Sequence, residues 1–466
     1  MKKILGAALG AVAALTLAGC GGGGTSNSDF VVPETLDTTN PIQITFWHTM
    51  SKDLSQPILN EAIEEFEELY PNITVVHQQI GGYEEVRDQI ITNLGTRGYP
   101  NMAYCYPDHV AIYNESQITI NIDNLIDDPK YGLGGSEIKY ETVKKEDVIQ
   151  AFLEEGKAFG DDKTYTLPFL KSTEVLFYNE DFFDEHNLEV PTTWDEMWDL
   201  CEQIKKIDPN STPLGIDSED NLFITLAKQY GYDYTSATGE HFLFDNDGIA
   251  GLLKELRGYY DSGYFITKAT NNDSYTNDKF TDTSAANRVY MTIGSTGGAS
   301  YCSSTSFKTG IAMYPQVDTD NPQVISQGPS FCFFKKDNDQ EVLATWLFAQ
   351  FLLTPKYQNL FAQANGYIPV TNTAVDTPEY QEYLNGASEG PGNKNGLTAL
   401  AAKQAVVQQS AYYTSPAFVG SSQAREEVGA IVADILIHQL SGGQTIEQYI
   451  SERLEAGIEE CEYQSS

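Results

Sequence analysis

Arg425 is the residue of this sequence best suited to hold an anion. It opens a predicted helix and is followed by Glu426 and Glu427. A buried guanidinium that faces a cavity can hold a phosphate through two parallel hydrogen bonds. On a solvated helix face, the same residue would form a surface salt bridge worth under about 1 kcal/mol. The sequence leaves both alternatives open.

Hydroxyl side chains next to glycine-rich turns are a second group of candidates for polar binding. Tyr83 follows a Gly-Gly pair, so its hydroxyl can either reach a polar ligand or lie on a surface turn. Ser295 and Thr296 lie where a predicted strand, 289–293, runs into a glycine-rich turn. Free N–H groups at the start of a helix favour anions or hydroxyl-rich ligands, whereas a plain tight turn is the alternative.

Motifs for metal binding are missing from the sequence. It has no HExxH motif and no CxxC pair, so neither a structural zinc nor a cofactor is expected. Of the five cysteines beyond residue 20, Cys105 and Cys332 lie in apolar, strand-like runs, where buried free thiols are expected. With 66 acidic residues, carboxylate pairs arise by chance and are no argument for a glycosidase.

Length and composition predict an acidic globular protein of two or three domains. The chain has 466 residues, of which 41% are hydrophobic and 20% charged. Its formal net charge is −38. A surface this acidic repels phosphate backbones and anionic membranes, so nucleic-acid binding is excluded. A small anionic ligand is not excluded, because a pocket can be locally positive.

The first forty residues predict export and a lipid anchor. Lys2 and Lys3 precede an apolar stretch, so residues 1–19 are expected to be a signal peptide. The segment Leu17-Ala18-Gly19-Cys20 resembles the lipobox of bacterial lipoproteins, which implies lipidation of Cys20, for example with palmitate. Residues 20–40 are expected to carry the lipid and form a flexible tether. No later stretch has about 18 uncharged apolar residues, so the lipid is the expected anchor, on the extracytoplasmic face of a bacterial membrane.

Alternating strand and helix patterns predict an α/β fold. Residues 42–47 form a predicted strand, and 57–70 place apolar side chains on one helical face. Thr193 and Glu196 form a predicted capping box. Further predicted helices are 249–260, 341–353, 355–365, 423–439 and 446–459. Strand, helix, strand, helix and strand within residues 42–106 indicate a doubly wound beginning.

Five motifs in order give the sequence a family resemblance. They are Ile44–Met50, Gly81–Glu84, Pro168–Asn179, Pro191–Trp194 and Gly366–Val370. These segments resemble the bacterial extracellular solute-binding proteins of ABC importers, family 1, and among them the glycerol-3-phosphate- and sugar-binding members. The similarity spans roughly residues 41 to 440.

The resemblance implies a two-lobe, periplasmic-binding-protein-like (type II) fold with discontinuous lobes joined by hinge strands. The chain would cross between the lobes near Pro168, Gly328 and Tyr367. The N-terminal lobe would then comprise 41–168 plus 328–366, and the C-terminal lobe 169–327 plus 367–466. A monomer that binds its ligand between the lobes and closes by hinge bending is expected.

The resemblance also implies positions for the ligand contacts. The matching positions are Tyr83, Ser172, Ser295 or Thr296, Gly328, Tyr367 and Arg425. At Ser172, a small hydroxyl with free backbone N–H groups would suit a phosphate or a sugar hydroxyl. The family's contact glutamate falls on Pro107, so Asp108 would have to substitute for it. Trp47 and His48, after the first strand, are further candidates for stacking on or bonding a sugar, with Trp47 in the core as the alternative.

The leading interpretation is a lipid-anchored substrate-binding protein of an ABC importer, with the permease as its partner. Its ligand would be a carbohydrate or a polyol phosphate such as glycerol 3-phosphate. One alternative is a surface sugar sensor or adhesin that reuses the same fold, and another is a secreted glycoside-active enzyme. The expectation is that the protein is not an enzyme.

Overall fold

The computed structural model describes residues 29–386 and 390–465. The predicted signal peptide and Cys20 lie outside these residues. Within the described ranges, no helix is both long enough and apolar enough to cross a membrane.

The described chain alternates short strands with helices. The strands are β1 Ile42–His48, β2 Ile73–Gln79, β3 Met102–Cys105, β4 Thr166–Pro168, β5 Leu170–Lys171, β6 Glu174–Asn179, β7 Leu214–Ile216, β8 Phe265–Thr267, β9 Met291–Ser295, β10 Thr309–Met313, β11 Val324–Ile325, β12 Ser330–Phe333, β13 Ile368–Pro369 and β14 Tyr412–Tyr413. The α-helices are α1 Gln56–Leu69, α2 Tyr83–Thr92, α3 Pro107–Glu115, α4 Asp123–Ile126, α5 Gln150–Glu155, α6 Glu180–His186, α7 Trp194–Ile207, α8 Glu219–Tyr230, α9 Asp247–Asp261, α10 Asn277–Thr281, α11 Asp339–Leu352, α12 Pro355–Asn365, α13 Asn372–Val375, α14 Pro378–Asn385, α15 Lys394–Val407, α16 Ser421–Ile437 and α17 Ile446–Ser465.

Two five-stranded sheets divide the chain into two lobes. The first sheet has the order β2-β1-β3-β12-β4, with β1 parallel to β2 and β3, and β12 antiparallel to β3 and β4. The second has the order β10-β6-β9-β7-β8. β12 follows all strands of the second sheet in chain order but belongs to the first sheet. The chain therefore crosses back between the lobes before β12. We call the units built on these sheets the first lobe and the second lobe.

Apolar alternation explains the first sheet and its helices. Ile42, Ile44 and Phe46 are buried on one face of β1, as period-2 patterning predicts. The buried face of α1 packs near this sheet through a stripe at helical spacing that includes Leu59 and Phe66. In the second lobe, the Thr193 hydroxyl accepts from the Glu196 amide at 3.2 Å, which confirms the predicted capping box.

Short strand pairs connect the lobes. β13 pairs with β5, and the backbone of Ser172 pairs with that of Gln327 in both directions at 2.9 Å. Gly328 follows with φ +99°, where a Cβ would lie 2.4 Å from the carbonyl oxygen of Leu170. A side chain is therefore excluded at this point by backbone conformation and by space.

Residues 29–40 differ from the predicted flexible tether. Asp29 pairs with Lys163 at 2.8 Å, and the amide of Leu36 donates to the Tyr131 hydroxyl at 2.9 Å. The amide of Asp37 donates to the Gln340 side chain at 2.7 Å. These bonds hold the segment against the first lobe, because each one satisfies a backbone or charged group that a free chain would leave to water.

Candidate functional site

A cleft of about 290 Å³ lies between the two lobes. Its wall from the first lobe comes from the starts of α2 and α3 and the end of α5. Its other wall comes from α8 and the loop after it, from residues 325–327, and from α16 and the loop before it. The lining residues are Tyr83, Glu84, Tyr106, Pro107, Asp108, Glu155, Asp220, Ile224, Tyr234, Thr235, Ile325, Ser326, Gln327, Thr414, Ser415, Pro416, Ser421 and Arg425. A neighbouring cavity of about 400 Å³ shares Arg425, Asp220 and Asp108 with it.

Arg425 lies in the second turn of α16 and lines this cleft. Its Nε forms an ion pair with Asp220 Oδ2 at 2.7 Å, and its terminal nitrogen donates to the Asn221 side chain. The side chains of Arg425 and Asp220 are 33% and 27% exposed, so the pair is partly shielded from water. Burial lowers the pKa of Arg425, but Asp220 and Asp108 outweigh this effect and raise it above its ordinary value. The guanidinium is therefore already charge-compensated by the protein.

The cleft carries more acidic than basic groups. Glu84, Asp108, Glu155 and Asp220 line it together with Arg425. Carboxylates accept hydrogen bonds from hydroxyl groups and repel other anions. The lining therefore suits a ligand rich in hydroxyl donors.

Tyrosine rings form an aromatic wall. The rings of Tyr83 and Tyr106 lie 4.4 Å apart, and Tyr234 lines the opposite wall from the second lobe. Burial raises the pKa of Tyr83, Tyr106 and Tyr234, so all three are neutral phenols. Such rings combine an apolar face with a polar tip, as a sugar-binding surface requires.

Direct contacts join the lobes at the edge of the cleft. The Ser422 hydroxyl of α16 donates to Asp108 Oδ2 at 3.2 Å. Arg87 of α2 lies 3.5 Å from Glu426 of α16. The structure is thus a closed form, in which both lobes contact one another across the site.

Three of the predicted contact residues line the cleft together, namely Tyr83, Asp108 and Arg425. Tyr367 is not among the lining residues; its ring packs on Gly297. Burial raises the pKa of its hydroxyl, and the nearby Tyr83 opposes the shift. Asp108 stands at the start of α3, directly after Pro107, and is well placed for the substitution that the sequence requires.

Ser172 and Gly328 lie beside the cleft without lining it. The N–H of Ser172, predicted to be free for a ligand, donates instead to the carbonyl of Gln327. This pairing fixes the backbone of Gln327, a residue that does line the cleft. The close approach that requires glycine at 328 is to Leu170, in the first crossing strand.

Ser295 and Thr296 also have their groups engaged within the protein. Thr296 is fully buried, and its N–H donates to the carbonyl of Thr173 at 2.9 Å. The Ser295 hydroxyl accepts from the amide of Gly297 at 3.3 Å. The turn begins a 3₁₀ helix, 296–302, and does not leave the predicted free N–H groups there for an anion.

Trp47 and His48 lie away from the cleft. Alternation along β1 turns His48 into the core, where its Nε2 lies 2.9 Å from His77 Nδ1 and its Nδ1 accepts from the amide of Met50. Burial lowers the pKa of His48 to about 3, so the ring is neutral. Trp47 borders a separate surface cavity with Ile80 and Gln89.

Several lining residues were not predicted from the sequence. Tyr106 directly follows β3, and the carboxyl ends of parallel strands are where α/β proteins bind ligands, so this position carried a usable indication. Asp220 lies in the first turn of α8, a helix that was not predicted. Nothing in the local sequence singled out Glu155 or Tyr234.

A buried carboxyl group supports Arg425 from behind. Glu174 is 3% exposed and accepts from the Asn221 amide nitrogen at 2.8 Å, while the Asn221 oxygen accepts from Arg425. Burial raises the pKa of Glu174 to about 8, although the bond from Asn221 opposes the shift. The orientation of the guanidinium is thus set by Asp220 and Asn221.

Comparison with known proteins identifies the family. Residues 61–386, well over half of the chain, match the family model of bacterial extracellular solute-binding proteins, and the chain belongs to that family. The sn-glycerol-3-phosphate-binding periplasmic protein UgpB of Escherichia coli K12 is 22% identical over 433 residues, which cover 89% of this chain and 91% of that protein.

Solved structures establish the two-lobe fold. The crystal structure of UgpB from Mycobacterium tuberculosis in complex with glycerophosphocholine has a TM-score of 0.68 at 18% identity and covers 91% of this chain and 99% of that one. The cyclic alpha-maltosyl-1,6-maltose binding protein from Arthrobacter globiformis has a TM-score of 0.68 at 14% identity, with the same coverage. The predicted fold and family are confirmed.

Proposed function

We propose that this protein is the lipid-anchored, extracellular substrate-binding component of an ABC importer and captures a neutral, hydroxyl-rich carbohydrate between its lobes. The observation that favours a neutral ligand over a phosphate is the ion pair of Arg425 with Asp220 at 2.7 Å. A phosphate would have to displace Asp220 and would meet three further carboxylates. Sugar hydroxyls would instead donate to these carboxylates while a ring face stacks on tyrosine.

A polyol phosphate such as glycerol 3-phosphate is the second candidate. It is favoured by the position of Arg425 on the cleft wall and by the name of the Escherichia coli relative. In that case, Arg425 would exchange Asp220 for the phosphate on binding. A cargo that must be released to a permease calls for a dissociation constant near 1 µM, or about −8 kcal/mol.

Isothermal titration of the chain from Thr25 onward tests the proposal. Maltose, maltotriose, glycerol 3-phosphate and glycerophosphocholine are each titrated into wild type, Arg425→Ala and Arg97→Ala. Arg97 is 72% exposed and pairs with Asp337, so it serves as the control. Binding of the neutral sugars alone is the expected result.

Other outcomes separate the alternatives. Binding of the phosphate esters alone, lost in Arg425→Ala and kept in Arg97→Ala, would establish the second candidate. Release of glucose from maltotriose would contradict a pure binding role.

A further inference from the structure

Glu155 is a charged side chain buried at the cleft. It ends α5, and its side chain is only 4% exposed. Its Oε1 pairs with Lys171 Nζ at 2.5 Å, and its Oε2 accepts from the Ser326 hydroxyl at 3.0 Å. A carboxylate offers about four acceptor positions. Two of them are occupied, so Glu155 retains acceptor capacity at a surface that lines the cleft.

Lys171 fixes this carboxylate from the hinge. Its side chain is fully buried in the first crossing strand. Nζ donates to the Ser330 hydroxyl at 3.2 Å and to the Gly328 carbonyl at 3.4 Å, besides its bond to Glu155. Its donors therefore hold two crossing segments and the end of α5 in one arrangement. A charge so constrained sets where Glu155 points.

Thr235 presents the complementary group from the second lobe. It lies on the same cleft wall as Tyr234, and its Oγ1 is buried without a hydrogen-bond partner. Unpaired buried hydroxyls are uncommon, because each one forfeits its bonds to water. A rotation of the Thr235 side chain toward the cleft would let a ligand group restore the missing bond.

We propose that Glu155 and Thr235 form a hydroxyl-binding subsite, with Lys171 as its positioning residue. A ligand hydroxyl donates to Glu155 and accepts from Thr235 Oγ1, one group from each lobe. An ion-paired carboxylate only accepts, so this subsite takes a sugar or polyol hydroxyl and rejects a phosphate. It adds a carboxylate to the cleft besides that of Asp108. The assignment rests on the proposed function, since it deepens the description of the same cleft.

Isothermal titration of the mature protein with the same four probes tests the subsite. The variants are Glu155→Gln, Thr235→Val, Lys171→Arg and Lys171→Met. Glu154→Gln and Thr238→Val are matched controls, because both are neighbouring residues that do not line the cleft. Affinity for the probe that binds should fall at least about tenfold in Glu155→Gln and several-fold in Thr235→Val. In the two controls, affinity should stay within twofold of wild type.

The lysine requires a separate readout. Lys171→Met should weaken binding as Glu155→Gln does, and combining the two changes should weaken it no further. Lys171→Arg should recover most of the affinity. The melting temperature should fall whether or not Lys171 positions Glu155. An unchanged affinity of the folded fraction in Lys171→Met would therefore overturn the positioning role.

Failure of the subsite and failure of the proposed function give different results. If wild type binds a probe and Glu155→Gln and Thr235→Val bind it within twofold, the subsite is refuted while the function stands. If wild type binds none of the four probes, the proposed ligand class fails. Crystals soaked in glycerol at molar concentration then decide the subsite: a glycerol oxygen bonded to Glu155 Oε2 and Thr235 Oγ1 supports it, and water alone there overturns it.

Discussion

Replacing Lys171 by methionine should strongly destabilise the protein. The side chains of Lys171 and Glu155 are 0% and 4% exposed, so the pair is largely shielded from water and each charge depends on the other. Methionine fills a similar volume but leaves the carboxylate with only the bond from Ser326. Breaking a buried pair from one side costs about 3 to 5 kcal/mol, because a charge is left buried without compensation. At roughly 2 °C per kcal/mol for a large chain, the melting temperature should fall by about 6 to 10 °C.

Calorimetry on three further variants tests this reasoning. Lys171→Met combined with Glu155→Leu removes both charges and should recover most of the stability, since apolar replacement of a buried pair is often neutral. Lys157→Met is the matched control: it breaks a pair with Glu154 at 3.0 Å, in which the side chains are 37% and 49% exposed, and should cost under about 1 kcal/mol. If Lys171→Met loses no more stability than Lys157→Met, water reaches the pair and the argument from burial is wrong.

Three further predictions concern other positions. Asp220→Asn should release Arg425 and raise the affinity for glycerol 3-phosphate about tenfold in titration calorimetry. This magnitude is the interaction of a partly exposed ion pair, reduced for screening by solvent. An unchanged affinity would show that the pair does not compete with phosphate. Burial raises the pKa of Glu174 from 4.5 to about 8, so the group ionises in the unfolded state before it does in the folded state. The free energy of unfolding should therefore fall as pH rises between these values. In urea unfolding, Glu174→Gln should show a flatter dependence of the free energy of unfolding on pH. Gly328→Ala should cost at least about 2 kcal/mol in thermal unfolding, because its Cβ would lie 2.4 Å from the Leu170 oxygen at φ +99°; a wild-type melting temperature would mean that the hinge relaxes freely.

Elements with one apolar face were predictable from the sequence. The predicted helix 355–365 has the bounds of α12, and the strand that begins at residue 42 differs from β1 by one residue. The capping box at Thr193 is present because its two side-chain bonds depend only on local spacing. Local rules suffice where one face of an element meets the core and the other meets water.

The helices α8 and α15 were not predicted from the sequence. α8 buries seven consecutive residues, 221–227, so its sequence shows no alternation between apolar and polar faces. α15 buries small side chains such as Ala401, Ala402 and Ala405, which carry little contrast with their neighbours. Since α8 provides Asp220, missing this helix also meant missing the partner of Arg425.

The sequence predicted some of the residues that line the candidate site, but it did not predict which of their polar groups are free to bind a ligand. Tyr83, Asp108 and Arg425 were expected at the cleft and line it. Ser172 and Thr296 were expected to offer free N–H groups, but both amides are used within the hinge and the second lobe. A sequence gives the donors and acceptors at each position and does not say which of them the fold has already paired.

Pairing within the protein also decides what this cleft can attract. Arg425 is compensated by Asp220 inside the second lobe, and Glu155 by Lys171 next to the hinge, so both pairs exist whether the cleft is open or closed. Contacts between the lobes include that of Ser422 with Asp108, that of Arg87 with Glu426 at 3.5 Å, and a hydrogen bond from the amide of Ala417 to the carbonyl of Ala158 at 2.8 Å. Each contact of this kind contributes about 1 kcal/mol or less. On the proposed function, we expect the ligand to add to the free energy of closure through hydroxyl bonds and ring stacking, because Arg425 and Glu155 already have partners within the protein.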